Sequence, residues 1–171
     1  MNPRFINLYM DLAERISQMS HAKRLQVGSV IVKENTILSY GWNGMPTGWD
    51  NNCEYRDYKL DSYLGEIDPI SLRPWSEVFP LSEDDGRMYE LKTRPEVLHS
   101  EMNALMKVAQ STESSSGAIL FCTHAPCINC AKAIYQAGIS TVYYKEMYRD
   151  DSGVRFLTQG GIDVHRYPNR T

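Results

Sequence analysis

The sequence predicts an α/β fold in which helices cover both faces of a sheet. Three observations carry that expectation. Phe5, Leu8, Tyr9, Leu12, Ile16 and Met19 recur at helical spacing and form one apolar stripe. Leu25 to Val32 and Thr141 to Tyr144 are short runs of strand-forming residues bounded by turn signals. From His99 onward the two patterns alternate, and strands alternating with helices imply a covered sheet.

Taken in order, Asn2 is a capping side chain and Pro3 suits the first position of a helix, so the first stripe begins there. Leu25 to Val32 is a strand, Lys33-Glu34-Asn35 its turn, and Thr36 to Tyr40 the hairpin partner. Gly41 to Val97 is polar and rich in Gly, Pro, Asp, Tyr and Trp. A stretch of that length is no plain loop in a compact domain, so an insertion beside the functional site is expected, at about residues 55–97 of a single domain spanning 1–171. Of its aromatics and those leading into it (Trp42, Trp49, Tyr55, Tyr58, Tyr63 and Trp75), one or two are expected to stack on a ligand and the rest to pack. Then follow a helix at His99 to Gln110, a buried strand at Ala118 to Cys122, and a helix at Cys127 to Ala137 closed by Gly138. Thr141 to Tyr144 is a strand, Ser152 to Gln159 a short helix, and Ile162 to Tyr167 the last strand.

The bulk numbers exclude several classes. The 171 residues suffice for one domain with a proper core. A net charge of -3 argues against gripping a long nucleic acid, where phosphate neutralisation supplies most of the affinity. A free nucleotide needs only a few well-placed basic groups, so a small substrate is favoured. The first apolar stretch carries acidic and polar residues, which fits neither a signal peptide nor a membrane span. Four cysteines without an export signal point to reduced thiols, hence to metal or catalysis and a cytoplasmic location.

Two motifs carry chemistry. His99-Ser100-Glu101 opens one helix, and Pro126-Cys127-Ile128-Asn129-Cys130 opens another. Cys-x-x-Cys on a helical turn sets two thiolates on one side, at a span that suits tetrahedral zinc. The helix N-terminus favours the thiolate form. With His99 the set has three protein ligands, which leaves a fourth position for water, as catalytic zinc requires. Two thiolates offset the zinc charge, so a separate group must move the proton. Glu101 is placed for that work. Either motif alone is weak, but together they are the signature of zinc-dependent base deaminases, in which water replaces an exocyclic amine of cytosine or adenine. A structural zinc is the competing reading. It needs a fourth ligand from Cys53, Cys122, His21 or His124, and leaves Glu101 without a role. Cys122 sits in an apolar strand and reads as core.

The residues also resemble a known family. Gln26-Val27-Gly28-Ser29-Val30-Ile31-Val32, the run Asn43-Gly44-Met45-Pro46-Thr47-Gly48, His99-Ser100-Glu101 with Asn103-Ala104, and Thr123 with Pro126-Cys127 are similar to the deoxycytidylate (dCMP) deaminases of the cytidine and deoxycytidylate deaminase family. The likeness covers most of the chain and fails mainly between Tyr55 and Val97. It implies a cytidine deaminase-like three-layer α/β/α sandwich around a five-stranded mixed sheet. It implies hydrolysis of dCMP to dUMP, feeding thymidylate synthesis. It implies a homo-hexamer activated by dCTP and inhibited by dTTP, with Mg2+ on the triphosphate.

Residue by residue, Asn43 is expected to contact the deoxyribose, with Thr123 and Ala125 also at the substrate. The loop from Gly44 to Cys53, including Gly48 and Asp50, is expected to help form the effector site together with Asn43. Arg24, Tyr148 and Arg149 are candidates for the phosphate, each weighed against an ordinary solvated side chain, and Arg149 against a pairing with Asp150 or Asp151. Two departures stand out. Ser100 occupies the place of the usual alanine. Ala22 and Lys23 lie where some members carry a cysteine of a second zinc site, so one zinc is expected despite His21 and Cys53. The alternatives are a deaminase of the same fold acting on another cytosine nucleotide or base, and a non-catalytic, zinc-stabilised nucleotide-binding module.

Overall fold

Asn2 caps the first helix through its side chain, Oδ1 accepting the Arg4 N–H at 3.0 Å, with Pro3 at the first helical position. In the computed structural model, which describes residues 1–60, 63 and 65–168, this helix α1 spans Pro3–Ser17. Its buried face is Tyr9, Met10, Ala13 and Ile16. That corrects the expected stripe, because Phe5, Leu8 and Met19 are exposed while Met10 is wholly buried. The packed face of a helix that meets a sheet is narrow, and residues at its flank stay in water.

Strand β1, Gly28–Lys33, turns through Glu34 and Asn35, both with positive φ, into β2, Thr36–Trp42. The first strand starts three residues later than expected. The Leu25 carbonyl and the Val27 N–H are bonded by the side chain of Asn43 at 2.8 and 2.7 Å, and the Val27 carbonyl accepts the Asn43 backbone N–H at 3.1 Å, so a single residue holds this segment in place of a regular ladder.

The polar stretch folds into its own three-stranded antiparallel sheet, in the order β3 (Glu54–Tyr58), β5 (Met88–Thr93), β4 (Leu81–Ser82), with a single helical turn α2 at Trp75–Val78. Positions 61, 62 and 64 of the expected insertion, and 169–171 of the expected domain, lie outside the described residues. Trp75 stacks on Tyr63 with ring centroids 4.9 Å apart and packs on Phe79.

Then come α3 (Ser100–Ala109), β6 (Ile119–His124), α4 (Ile128–Gln136), β7 (Thr141–Glu146), α5 (Ser152–Gln159) and β8 (Asp163–Arg166). The main sheet has five strands in the order β2-β1-β6-β7-β8. β1 is antiparallel to both β2 and β6, while β6, β7 and β8 run parallel. The expected mixed sheet is present, and each parallel step is bridged by a helix.

Alternating side chains fill two cores. Val30, Val32 and Phe121 face α1, whereas Ile31, Leu120 and Val142 face α3, α4 and α5. These are the three layers. Phe121 is fully buried, stacked on Tyr143 at 5.1 Å and tilted against Tyr9 at 5.3 Å. Phe121→Ala is expected to lower the unfolding free energy by about 3–5 kcal/mol, read from urea denaturation. A change below about 1 kcal/mol would show that this face is not packed as described. Among the described residues no helix is long and apolar enough to cross a membrane.

Candidate active site

Both motif helices start at the same end of the sheet. β6 ends at His124, and Ala125-Pro126-Cys127 leads straight into α4. Leu98 pairs with Gly44 through two backbone bonds of 2.9 and 3.1 Å, which delivers His99 to the start of α3. His99 and Cys127 occupy the N-cap positions of their helices, and neither side chain caps its own helix. Both are thereby left for another partner.

Two glycines let the elements close on this point. A Cβ at Gly41 on β2 would lie 2.3 Å from the Ser100 carbonyl, and one at Gly153 on α5 would lie 1.9 Å from the Pro126 carbonyl. Neither approach is open to a residue with a side chain.

His99, Cys127 and Cys130 converge, with all their ligand atoms within 4.8 Å of one another. His99 Nδ1 lies 3.5 Å from Cys127 Sγ and 3.4 Å from Cys130 Sγ. A tetrahedral ion with ordinary zinc–nitrogen and zinc–sulfur lengths separates such donors by about 3.5 Å, so the set fits zinc. The protons fit as well. A hydrogen bond from Cys130, then His99, holds the Cys127 thiol low, while that same bond and burial push Cys130 up. The hydrogen bond with Cys127 also raises the His99 imidazole. Metal binding at such a pair needs both sulfurs as thiolates, so it is coupled to proton release.

Glu101 is not part of this group. It is buried at 4% exposure, and burial pushes its carboxyl up from the ordinary value against the hydrogen bonds and the His99 charge that lower it. A carboxyl group raised in this way is suited to taking up a proton and giving it back. Ser100 Oγ donates to Glu101 Oε2 at 2.9 Å and lies 2.6 Å from Ser29 Oγ, which in turn sits 3.2 Å from Cys122 Sγ. Ser100, the residue in place of the usual alanine, is thus fully buried and bonded to Glu101. Cys122 is core, its thiol pushed up to about 12 by burial.

A cavity of about 260 Å³ opens over these groups, a size suited to one nucleotide. His99, Glu101 and Cys127 line it together with five of the other expected residues: Arg24, Asn43, Ala125, Tyr148 and Arg149. The Asn43 amide spends one acceptor and one donor on the 25–27 segment and keeps one N–H and one lone pair. Arg149 stacks on Tyr148 at 5.6 Å and has no ion pair among the described residues. Asp151 pairs with Arg155, and Asp150 accepts from Ser152. Thr123 is not at the cavity wall. Its Oγ1 accepts the Gly28 N–H at 3.2 Å and meets His124 Nδ1 at the same distance, and His124 does line the cavity.

Gly44, Gly48, Asp50 and Cys53 also lie away from the wall. Gly48 has φ +87 in a turn closed by Trp49 N–H to the Pro46 carbonyl at 3.0 Å. Cys53 is buried against Ala22 and Val97, burial pushes its thiol up, and His21 is exposed. None of the six aromatics considered above lines the cavity. Trp75 and Tyr63 are spent on each other, and Tyr58 packs on Tyr89.

Sequence reading missed Glu54, Thr93 and Val97 at the wall, and weighed His124 only as a fourth ligand of a structural zinc. Glu54 and Thr93 face each other in the β3–β5 register, and no period in the insertion signalled that pairing.

The comparisons with known proteins agree with this geometry. The profile of the family described as the cytidine and deoxycytidylate deaminase zinc-binding region matches residues 3–146, which include His99, Glu101, Cys127 and Cys130. The deoxycytidylate deaminase of Enterobacteria phage T4 is 30% identical over 176 residues, covering 94% of this chain and 89% of its own length. The Saccharomyces cerevisiae deoxycytidylate deaminase is 29% identical across 98% of this chain, and the match takes in 46% of that longer protein. The dCMP deaminase of cyanophage S-TIM5, solved in complex with dCMP and dUMP, superposes with a TM-score of 0.74 at 39% identity, over 98% of this chain and 99% of that one. With the motif helices, the ligand set and the five-stranded sheet all inside a match of this extent, the chain belongs to the cytidine and deoxycytidylate deaminase family.

Proposed function

We propose that this protein is a zinc-dependent deaminase that hydrolyses dCMP to dUMP. The observation that carries the reading is the convergence of His99, Cys127 and Cys130, with His99, Cys127 and a separate, buried carboxyl, Glu101, lining one cavity. Relatives named for this activity, in phage T4 and in yeast, support it.

His99, Cys127 and Cys130 would hold the zinc, which when bound supplies the Lewis acidity that makes water nucleophilic at neutral pH. Glu101 accepts a proton from the attacking water and passes it to ring N3. Oxygen adds at C4, and Glu101 then carries the second proton from that oxygen to the amine. Ammonia leaves, the C4–O bond becomes a carbonyl, and cytosine has become uracil. Asn43, Ala125 and His124 border the nucleoside, and Arg24, Tyr148 and Arg149 at the cavity wall receive the phosphate. Thr123 acts on the substrate through His124.

The finer reading keeps residues 1–171 as one deaminase domain carrying the insertion. It makes a cytoplasmic homo-hexamer that serves thymidylate synthesis, activated by dCTP and inhibited by dTTP with Mg2+. The Gly44 to Cys53 loop with Asn43 forms part of the effector site. Its bridge to Leu98, next to His99, supports a route from that loop to the zinc ligands.

Ammonia release is measured with dCMP, deoxycytidine, dCTP and CMP, each with and without dCTP or dTTP plus Mg2+. Preferred turnover of dCMP is the expected result. Absence of turnover of all four by zinc-loaded protein overturns the reading, and rates indifferent to triphosphates overturn the regulatory part alone.

A further inference from the structure

Glu54 is a charged residue in an unusual position. It opens β3 in the insertion, is buried at 4% exposure, and lines the cavity beside Arg24, Asn43 and Thr93. Its Oε1 accepts two backbone N–H groups, from Lys23 at 2.9 Å and from Arg24 at 3.2 Å. Its Oε2 has no hydrogen bond, and the side chain has no ion pair, among the described residues. Oε2 is not among the buried atoms left without a partner, so it is open to a donor that enters the cavity.

The clamp on residues 23 and 24 accounts for Oε1 and leaves Oε2 for a ligand. A cytosine nucleotide brings two kinds of neutral donor, the exocyclic amine and the sugar hydroxyl. The amine belongs at Glu101, where the chemistry occurs. The phosphate is an anion without strong donors and is repelled by a carboxylate. The sugar hydroxyl remains.

We infer that Glu54 recognises the 3′-hydroxyl of the nucleotide sugar through its Oε2, so that the insertion supplies a specificity determinant to the deaminase site. This rests on the reading of the site as a nucleotide deaminase. The β3–β5 register supports it by placing Thr93, a second polar side chain of the insertion, opposite Glu54 at the same wall. Arg24 donates from Nη1 to Thr93 Oγ1 at 3.3 Å, so a phosphate donor borders the same patch. Hydroxyl and phosphate are close neighbours on one sugar.

The test compares kcat/KM for dCMP with that for 2′,3′-dideoxycytidine 5′-monophosphate, in the wild type and in Glu54→Gln. The glutamine oxygen still accepts the Lys23 and Arg24 N–H groups, so the clamp survives. The wild type is expected to prefer dCMP by about tenfold to a hundredfold, the range of a hydrogen bond to a charged group. Glu54→Gln is expected to lose most of that factor on dCMP and to stay within about twofold on the dideoxy substrate, with zinc content unchanged. Equal losses on both substrates, or no loss on dCMP, overturn the inference. So does a wild type that uses the two substrates equally, which needs no variant. A zinc-loaded wild type inert on dCMP overturns the deaminase reading itself, a distinct result from an active wild type without the preference.

Discussion

Glu101→Gln is expected to reduce the kcat for dCMP by about 10³-fold or more while the protein keeps its full complement of zinc. The estimate follows from the role. A positioned acid–base group contributes about 10²–10⁴-fold, and in the proposed mechanism one side chain moves both protons. The change is isosteric, and Ser100 Oγ keeps an acceptor in the amide oxygen, so the buried hydrogen bonds to Ser29 survive. Glu101 lies outside the ligand group, so zinc content is not expected to fall. Steady-state kinetics together with elemental analysis of the purified variant decide the matter. Activity within tenfold of the wild type would sink the proposed mechanism. Loss of zinc together with activity would move Glu101 into the coordination sphere.

Cys127→Ala is expected to abolish zinc binding and activity together and to lower the thermal midpoint, whereas Cys122→Ala keeps its zinc. Cys127 and Cys130 are two of the three converging residues proposed as ligands, and removing one leaves a pair that cannot close a tetrahedral site. Cys127 is also the less buried of the two, so its loss reports on the metal more than on packing. Cys122 is fully buried on β6 and bonded to Ser29, outside the ligand group. Its truncation costs packing energy and leaves the metal. Elemental analysis and a thermal melt of each variant distinguish the cases. Zinc loss in Cys122→Ala would revive the structural, four-ligand site. Full zinc in Cys127→Ala would remove that residue from the ligand set.

Local chemistry made much of the fold legible. All five strands of the main sheet and the four helices that cover it lie where periodicity and caps placed them, within a few residues at the ends. The deviations have tertiary causes. Leu25 to Val27 has strand-like residues, yet Asn43 satisfies its backbone before β1 begins. The stripe of α1 is shifted because the sheet accepts Met10 and Ala13 and leaves Phe5 and Leu8 in water. In the insertion, Trp75 and Tyr63 pair with each other, a choice of partner that composition does not specify.

The sequence by itself determined which side chains the proposed site uses. Ligand type, ligand spacing and the free carboxyl are all contained in His99-Ser100-Glu101 and Cys127-x-x-Cys130, because each motif is a single helical turn whose geometry is local. Only the tertiary structure decided what surrounds it. Glu54 and Thr93 reach the cavity through an antiparallel pairing between two strands distant in the sequence, Glu54–Tyr58 and Met88–Thr93. His124 reaches it as the last residue of β6, and Gly41 and Gly153 are where two backbones come close enough to require glycine. Such contacts arise from packing between distant segments, and no periodicity within either segment encodes its partner.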